Sequence, residues 1–83
     1  MYWKLIGYWK GLKIGYEFNR GDKVYSCRWD LNKDIGICRI FDKDGNELDI
    51  EVWFKGVLIG GWNRDSGMWN KRELEVLLNG KRN

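Results

Sequence analysis

A phrase built on tryptophan and glycine occurs three times, and it limits what this chain can fold into more than any other feature. It reads Trp9-Lys-Gly-Leu-Lys-Ile-Gly15, then Trp29-Asp-Leu-Asn-Lys-Asp-Ile-Gly36, then Trp53-Phe-Lys-Gly-Val-Leu-Ile-Gly60. Trp29 and Trp53, Gly21 and Gly45, and Gly36 and Gly60 are each 24 residues apart. Repetition on that scale marks an array of supersecondary units. One unit cannot bury its own apolar face, so neighbouring units must stack.

Between the glycines the pattern is that of strands. Leu48, Ile50, Val52 and Phe54 alternate with Glu47, Asp49, Glu51 and Trp53, giving one apolar face and one that mixes acids with a tryptophan. Tyr25, Cys27 and Trp29 alternate in the same way, and residues 35–41 read as their partner strand. Asp42-Lys-Asp-Gly-Asn46 has hairpin chemistry, because Gly45 reaches positive φ at low cost. The expected fold is therefore mainly β: an antiparallel meander of about six strands closed by a short C-terminal helix. The hairpins fall at roughly residues 2–18, 23–41 and 47–62, with a C-terminal cap at 66–80, all within one domain of 83 residues. Two registers fit the first hairpin. A Lys10-Gly11 turn sets Lys4 opposite Glu17, and a longer turn sets Trp9 opposite Gly15. For residues 70–79, Asn70 and Glu73 suit a capping box and Gly80 a helix stop, which favours helix, although Leu74-Glu75-Val76 also alternates like a strand.

A chain this short has a thin core. Six Trp, four Tyr and three Phe compensate, since each buried aromatic removes roughly 150–250 Å² from water. The charge is uneven. Residues 1–28 hold six basic and two acidic groups, residues 29–63 four basic and seven acidic, and the remainder five basic and three acidic, for an overall +3. A bipolar surface suits a mixed-charge protein partner or self-association more than a uniform polyanion. No leader and no membrane-length apolar run is expected, and two cysteines without metal-ligand spacing suggest a cytoplasmic protein with reduced thiols.

Tyr25, Trp29, Asn32, Gly36 and Gly45 fall at the spacings of the MORN repeat, with Cys27 and Cys38 at two of its glycine positions. Gly7-Tyr-Trp9 and Trp53, Gly56 and Gly60 match parts of the same pattern, so residues 5–62 resemble this family, with Asp49 standing where the repeat has Tyr. The resemblance implies stacked hairpins and a non-enzymatic scaffold or interaction module, with membrane association or self-association among the family's roles. It carries over no catalytic residue.

The residues themselves also argue against catalysis. There is no histidine to shuttle protons near neutral pH, and Ser26 and Ser66 have no evident base. Asp42-Lys-Asp-Gly-Asn with Glu51 resembles a calcium loop, but Ile40 would occupy the first ligand position, so no metal and no cofactor is expected. Cys27 and Cys38 face each other if Trp29 pairs with Gly36. They form a candidate thiol pair, although two small buried side chains in glycine positions is the simpler reading. Tyr2, Trp3, Tyr8 and Trp9 interleave with Lys4, Lys10 and Lys13. Such a surface stacks single-stranded bases, or it is a core face with lysines at its rim. A single sheet has two faces and one helix covers part of one, so some aromatics should stay exposed as an interaction surface. The leading expectation is a non-catalytic module for protein–protein contact, in the style of a small bacterial or phage accessory or inhibitor protein. Its contact candidates are Tyr2, Lys4, Tyr8, Lys10 and Trp53. The alternative is single-stranded nucleic-acid or nucleotide binding through the aromatic, basic N-terminal face. A homodimer and a carbohydrate ligand are further readings.

Overall fold

The computed structural model describes residues 3–12 and 14–79. The chain enters through a helix, α1 (Trp3–Gly11), and then runs through β1 (Ile14–Arg20), β2 (Lys23–Asp30), β3 (Ile35–Asp42), β4 (Glu47–Phe54), β5 (Val57–Asn63) and β6 (Gly67–Trp69) before ending in α2 (Lys71–Asn79). The strands form one antiparallel sheet in sequence order. The six-stranded meander with a C-terminal helix is as the alternation indicates.

The first hairpin is not. Residues 3–11 are helical, so Lys4 does not face Glu17 across a ladder, and Gly15 pairs with Arg28 instead of Trp9. The reason lies in the spacing of Leu5, Tyr8, Trp9 and Leu12. Those positions are i, i+3, i+4 and i+7, which share one side of a helix. All four join the core, with Leu5 1% exposed and Leu12 4% exposed. Burial of that stripe outweighs the roughly 1 kcal/mol that Gly7 costs a helix interior. The sixth strand is β6, which the alternation did not indicate, so the strand count survives with a different membership.

Turn chemistry sets the register. Arg20 and Lys23 flank a two-residue loop that opens with Gly21 at φ 65°. Lys55 and Gly56 both have positive φ, 52° and 80°, as a two-residue hairpin with the twist of the sheet requires. At β3–β4, Asp42 accepts the amides of Asp44 and Asn46 and the side-chain amide of Asn46. These bonds hold its carboxyl below the usual carboxylate range, the backbone bond from Asn46 contributing most.

The repeated units differ in detail. Trp29 pairs with Gly36 across a four-residue loop, whereas Trp53 pairs with Leu58 after a bulge, and Gly60 pairs with Val52. The two glycines consequently do different work. A Cβ on Gly36 would run into the Trp29 ring, so the indole lies on that glycine. A Cβ on Gly60 would meet Leu74 Cγ at 2.9 Å, so that glycine admits α2.

Both helices pack on one face of the sheet. Leu5 and Leu12 from the α1 segment and Leu74 from α2 close over Ile37, Ile50 and Val52, with Trp9, Trp62 and Met68 at the margin. Asn70 does not act as half of a capping box. It sits at φ 51°, outside the extended backbone an N-cap uses, and its side-chain amide donates to the Ile59 carbonyl, tying the start of α2 to β5. Gly80 lies outside the described residues.

Candidate binding face

Strand pairing places directly opposed residues on the same side of the sheet. The side away from the helices therefore reads as rows. Ile14, Trp29, Gly36 and Trp53 form one row, and Tyr16, Cys27, Cys38, Glu51, Gly61 and Trp69 the next. Phe18, Tyr25, Ile40, Asp49 and Asn63 form a third, and Arg20, Lys23 and Asp42 a fourth. The small residues Gly36, Cys27, Cys38 and Gly61 run through the middle, with aromatic rings on either side. Tyr16, Phe18, Tyr25, Trp29, Trp53, Arg20 and Glu51 line the resulting groove over Cys27 and Cys38, about 260 Å³ in volume.

The rings are held in place. Tyr16 and Phe18 stack at 5.9 Å between centroids, and Phe18 and Tyr25 at 4.8 Å, with interplanar angles of 20° and 12°. The Trp29 indole N–H donates to the Tyr16 hydroxyl at 3.3 Å while its ring rests on Gly36. The Trp53 indole N–H donates to Glu51 Oε1 at 3.2 Å. Asp49 accepts the side-chain amide of Asn63. Order does not mean burial: Tyr16 keeps 49% of its surface exposed and Phe18 40%. Every residue of β1 is exposed, so the face runs out to an unpaired strand edge.

Cys27 and Cys38 are opposed in register, with Cα atoms 4.0 Å apart, and are joined as a disulfide. This corrects the expectation of reduced thiols: the Trp29–Gly36 register brings the two side chains together on the groove floor. Among the described residues no group of three His, Cys, Asp or Glu side chains could hold a metal ion.

Of the contact candidates named from sequence, Trp53 lies in the groove. Tyr8 does not. It packs against the core on the other face, beneath the Lys33 ammonium at 5.7 Å, and burial, followed by the charge of Asp30, pushes its phenol above the usual range. Lys4 and Lys10 belong to α1, not to a strand beside the aromatic face, and Tyr2 lies outside the described residues. The residues that sequence reasoning passed over are Tyr16, Phe18, Tyr25 and Trp29. Their signal was continuous alternation through Ile14, Tyr16 and Phe18 into Tyr25, Cys27 and Trp29, which puts all six on one side.

No protein-family model, no curated protein and no solved structure matches the chain. Among the described residues no helix is long and apolar enough to cross a membrane.

Proposed function

We propose that this chain is a non-catalytic binding module that docks another protein on the open face of its sheet. The observation that supports this most is the groove itself: five aromatic rings, four of them ordered against one another and Trp53 held by Glu51, on the side that neither helix covers among the described residues. Tyr and Trp bring large contact area with few torsions to freeze, and such patches are where interfaces concentrate their binding energy. The MORN-like reading rests chiefly on the unit from Tyr25 to Gly45, whose Tyr25, Cys27, Trp29, Gly36 and Cys38 lie on this face, and a role as a small accessory or inhibitor protein rests on the small size of the chain.

Nucleic acid is the weaker reading. The rings lie beside Glu51 and Asp49 with Arg20 as the one basic side chain lining the groove, while Arg28 and Arg39 stack on Trp9 on the opposite face, at 5.3 and 5.5 Å. A single-strand groove needs cations beside its rings. The N-terminal segment that was to supply them is a helix, and its Tyr8 and Trp9 pack against the core. A cytoplasmic location requires the Cys27–Cys38 bond to form against a reducing thiol pool. Trapping thiols by alkylation in intact cells tests that location.

The test of function is affinity capture from the source cells with the wild-type protein and a Tyr16→Ala/Trp53→Ala variant side by side. A protein retained by the wild type and lost with the variant, when both show the same far-UV circular dichroism, is the expected result. Retention of only nucleic acid, released by salt, would overturn the reading.

A further inference from the structure

We infer that the groove on the open face takes an arginine side chain of the partner protein, seated between Glu51 and the rings of Trp53 and Trp29. This rests on the protein-binding reading above and names the chemistry of the contact. The covered face supplies the pattern. There Arg39 lies over the rings of Trp9 and Phe41, at 5.5 and 5.3 Å, and its Nε donates to Glu47 Oε2 at 2.6 Å. Arginine, two aromatic faces and a carboxylate form one unit. The open face repeats the aromatic and acidic parts of that unit, and the one arginine lining the groove, Arg20, stands two rows away from the acid. Trp53 and Trp29 stand one row from Glu51, and among the described residues the one side-chain hydrogen bond to Glu51 comes from the Trp53 indole N–H. The described residues contain one salt bridge, and it is not made by Glu51.

A carboxylate offers about four acceptor sites, so one indole N–H leaves Glu51 able to receive more donors. A guanidinium fits that vacancy better than an ammonium. It is planar, stacks on indole, and offers a fork of N–H donors to one carboxylate. Charge also gives the groove a direction. Arg20 stands two rows from Glu51, beside the Lys23–Asp42 pair, and repels a second cation from that end. The chain as a whole carries +3, so non-specific attraction of a basic peptide is disfavoured, and binding at this point must come from the local site.

The probe is a capped Gly-Ser-Arg-Ser-Gly peptide, compared with the same peptide carrying citrulline, which has arginine's shape without its charge. Indole N–H signals of Trp29 and Trp53 are followed by NMR through each titration of the wild-type protein. The expected result is a saturable shift of both signals, at least tenfold tighter for the arginine peptide, with Glu51→Gln erasing the difference between peptides. Equal affinity for the two peptides, shifts confined to residues outside the groove, or no shift at all would each overturn the assignment. Because both peptides meet the same folded protein, a misfolded variant cannot mimic failure. If the arginine peptide fails while Tyr16→Ala/Trp53→Ala still abolishes capture of a partner, the docking face stands and the arginine falls. If capture is also unaffected, both fall.

Discussion

Replacing Gly36 with alanine tests the geometry on which the open face depends. A Cβ at this position would lie 2.6 Å from Trp29 Cδ2 and closer still to Cε3 and Cζ3. Carbon atoms pack at about 3.5–4.0 Å, so the indole must move by about 1 Å or more. It has little freedom to do so, because its N–H is bonded to the Tyr16 hydroxyl at 3.3 Å and Tyr16 stacks on Phe18. Overpacking of this kind costs about 1–3 kcal/mol, and a partly exposed hydrogen bond adds roughly 0.5–1 kcal/mol if it breaks. Alanine in a strand interior gives back roughly 0.5–1 kcal/mol relative to glycine. The net expectation is a loss of about 1–2 kcal/mol. Urea unfolding of the oxidised protein, followed by tryptophan fluorescence, should show it as a midpoint about 1 M lower or more at unchanged slope, given a slope of roughly 1 kcal/mol per M for a chain this small. The Trp29 indole N–H resonance should shift as well. A midpoint that stays put or rises would mean that the ring does not rest on Gly36, and the groove would lose its upper wall.

The remaining predictions concern the other parts of the fold. Gly7 is exposed in the middle of α1 with open space where a Cβ would stand, so Gly7→Ala should raise stability by about 0.5–1 kcal/mol. A loss on urea unfolding would contradict a helix at residues 3–11. Reducing Cys27–Cys38 releases a loop closed over a separation of 11 residues, worth about 3 kcal/mol on the chain-entropy model. Unfolding with and without a phosphine reductant measures this, and intact mass gives the redox state. Asp42 has a depressed folded pKa, so its contribution to stability is present above the unfolded carboxylate value near 3.8 and is lost as pH falls through the lower folded value. Stability measured from pH 6 to pH 2 should therefore decline less steeply in Asp42→Ala than in the wild type. A parallel decline would show that the turn does not hold the charge.

Much of the sheet is legible in the sequence because its signals are local. The alternation from Glu47 to Phe54 places Ile50 and Val52 in the core and Glu51 and Trp53 on the other side, and Gly45 turns the chain at φ 90°. The pairing of Trp29 with Gly36 follows from the same period. The N-terminal segment is harder, because two patterns occupy the same letters. Trp9-Lys-Gly looks like the opening of the repeated phrase, yet Leu5, Tyr8, Trp9 and Leu12 also keep helical spacing. Tertiary contact decides between them, since only the helix lays all four over Ile37, Ile50 and Val52. The site was misplaced for the same reason. A strand at residues 2–9 offers Tyr8 and Lys10 as contact residues and draws attention away from Tyr16 and Phe18. With α1 on the far side, every residue of β1 stays exposed, and its aromatics become the rim of the groove. Glu51 illustrates a different limit. Its strand and side were evident from alternation, but the absence of a salt bridge to it among the described residues depends on where every arginine ends up.

Hydrogen exchange of the protein alone and bound to its captured partner tests the role of the open face most directly. Slower exchange of the amides of β1, β2 and β4 in the complex, with α1 and α2 unchanged, is the expected footprint. Protection confined to the two helices, with the aromatic strands exchanging as in the free protein, would contradict it.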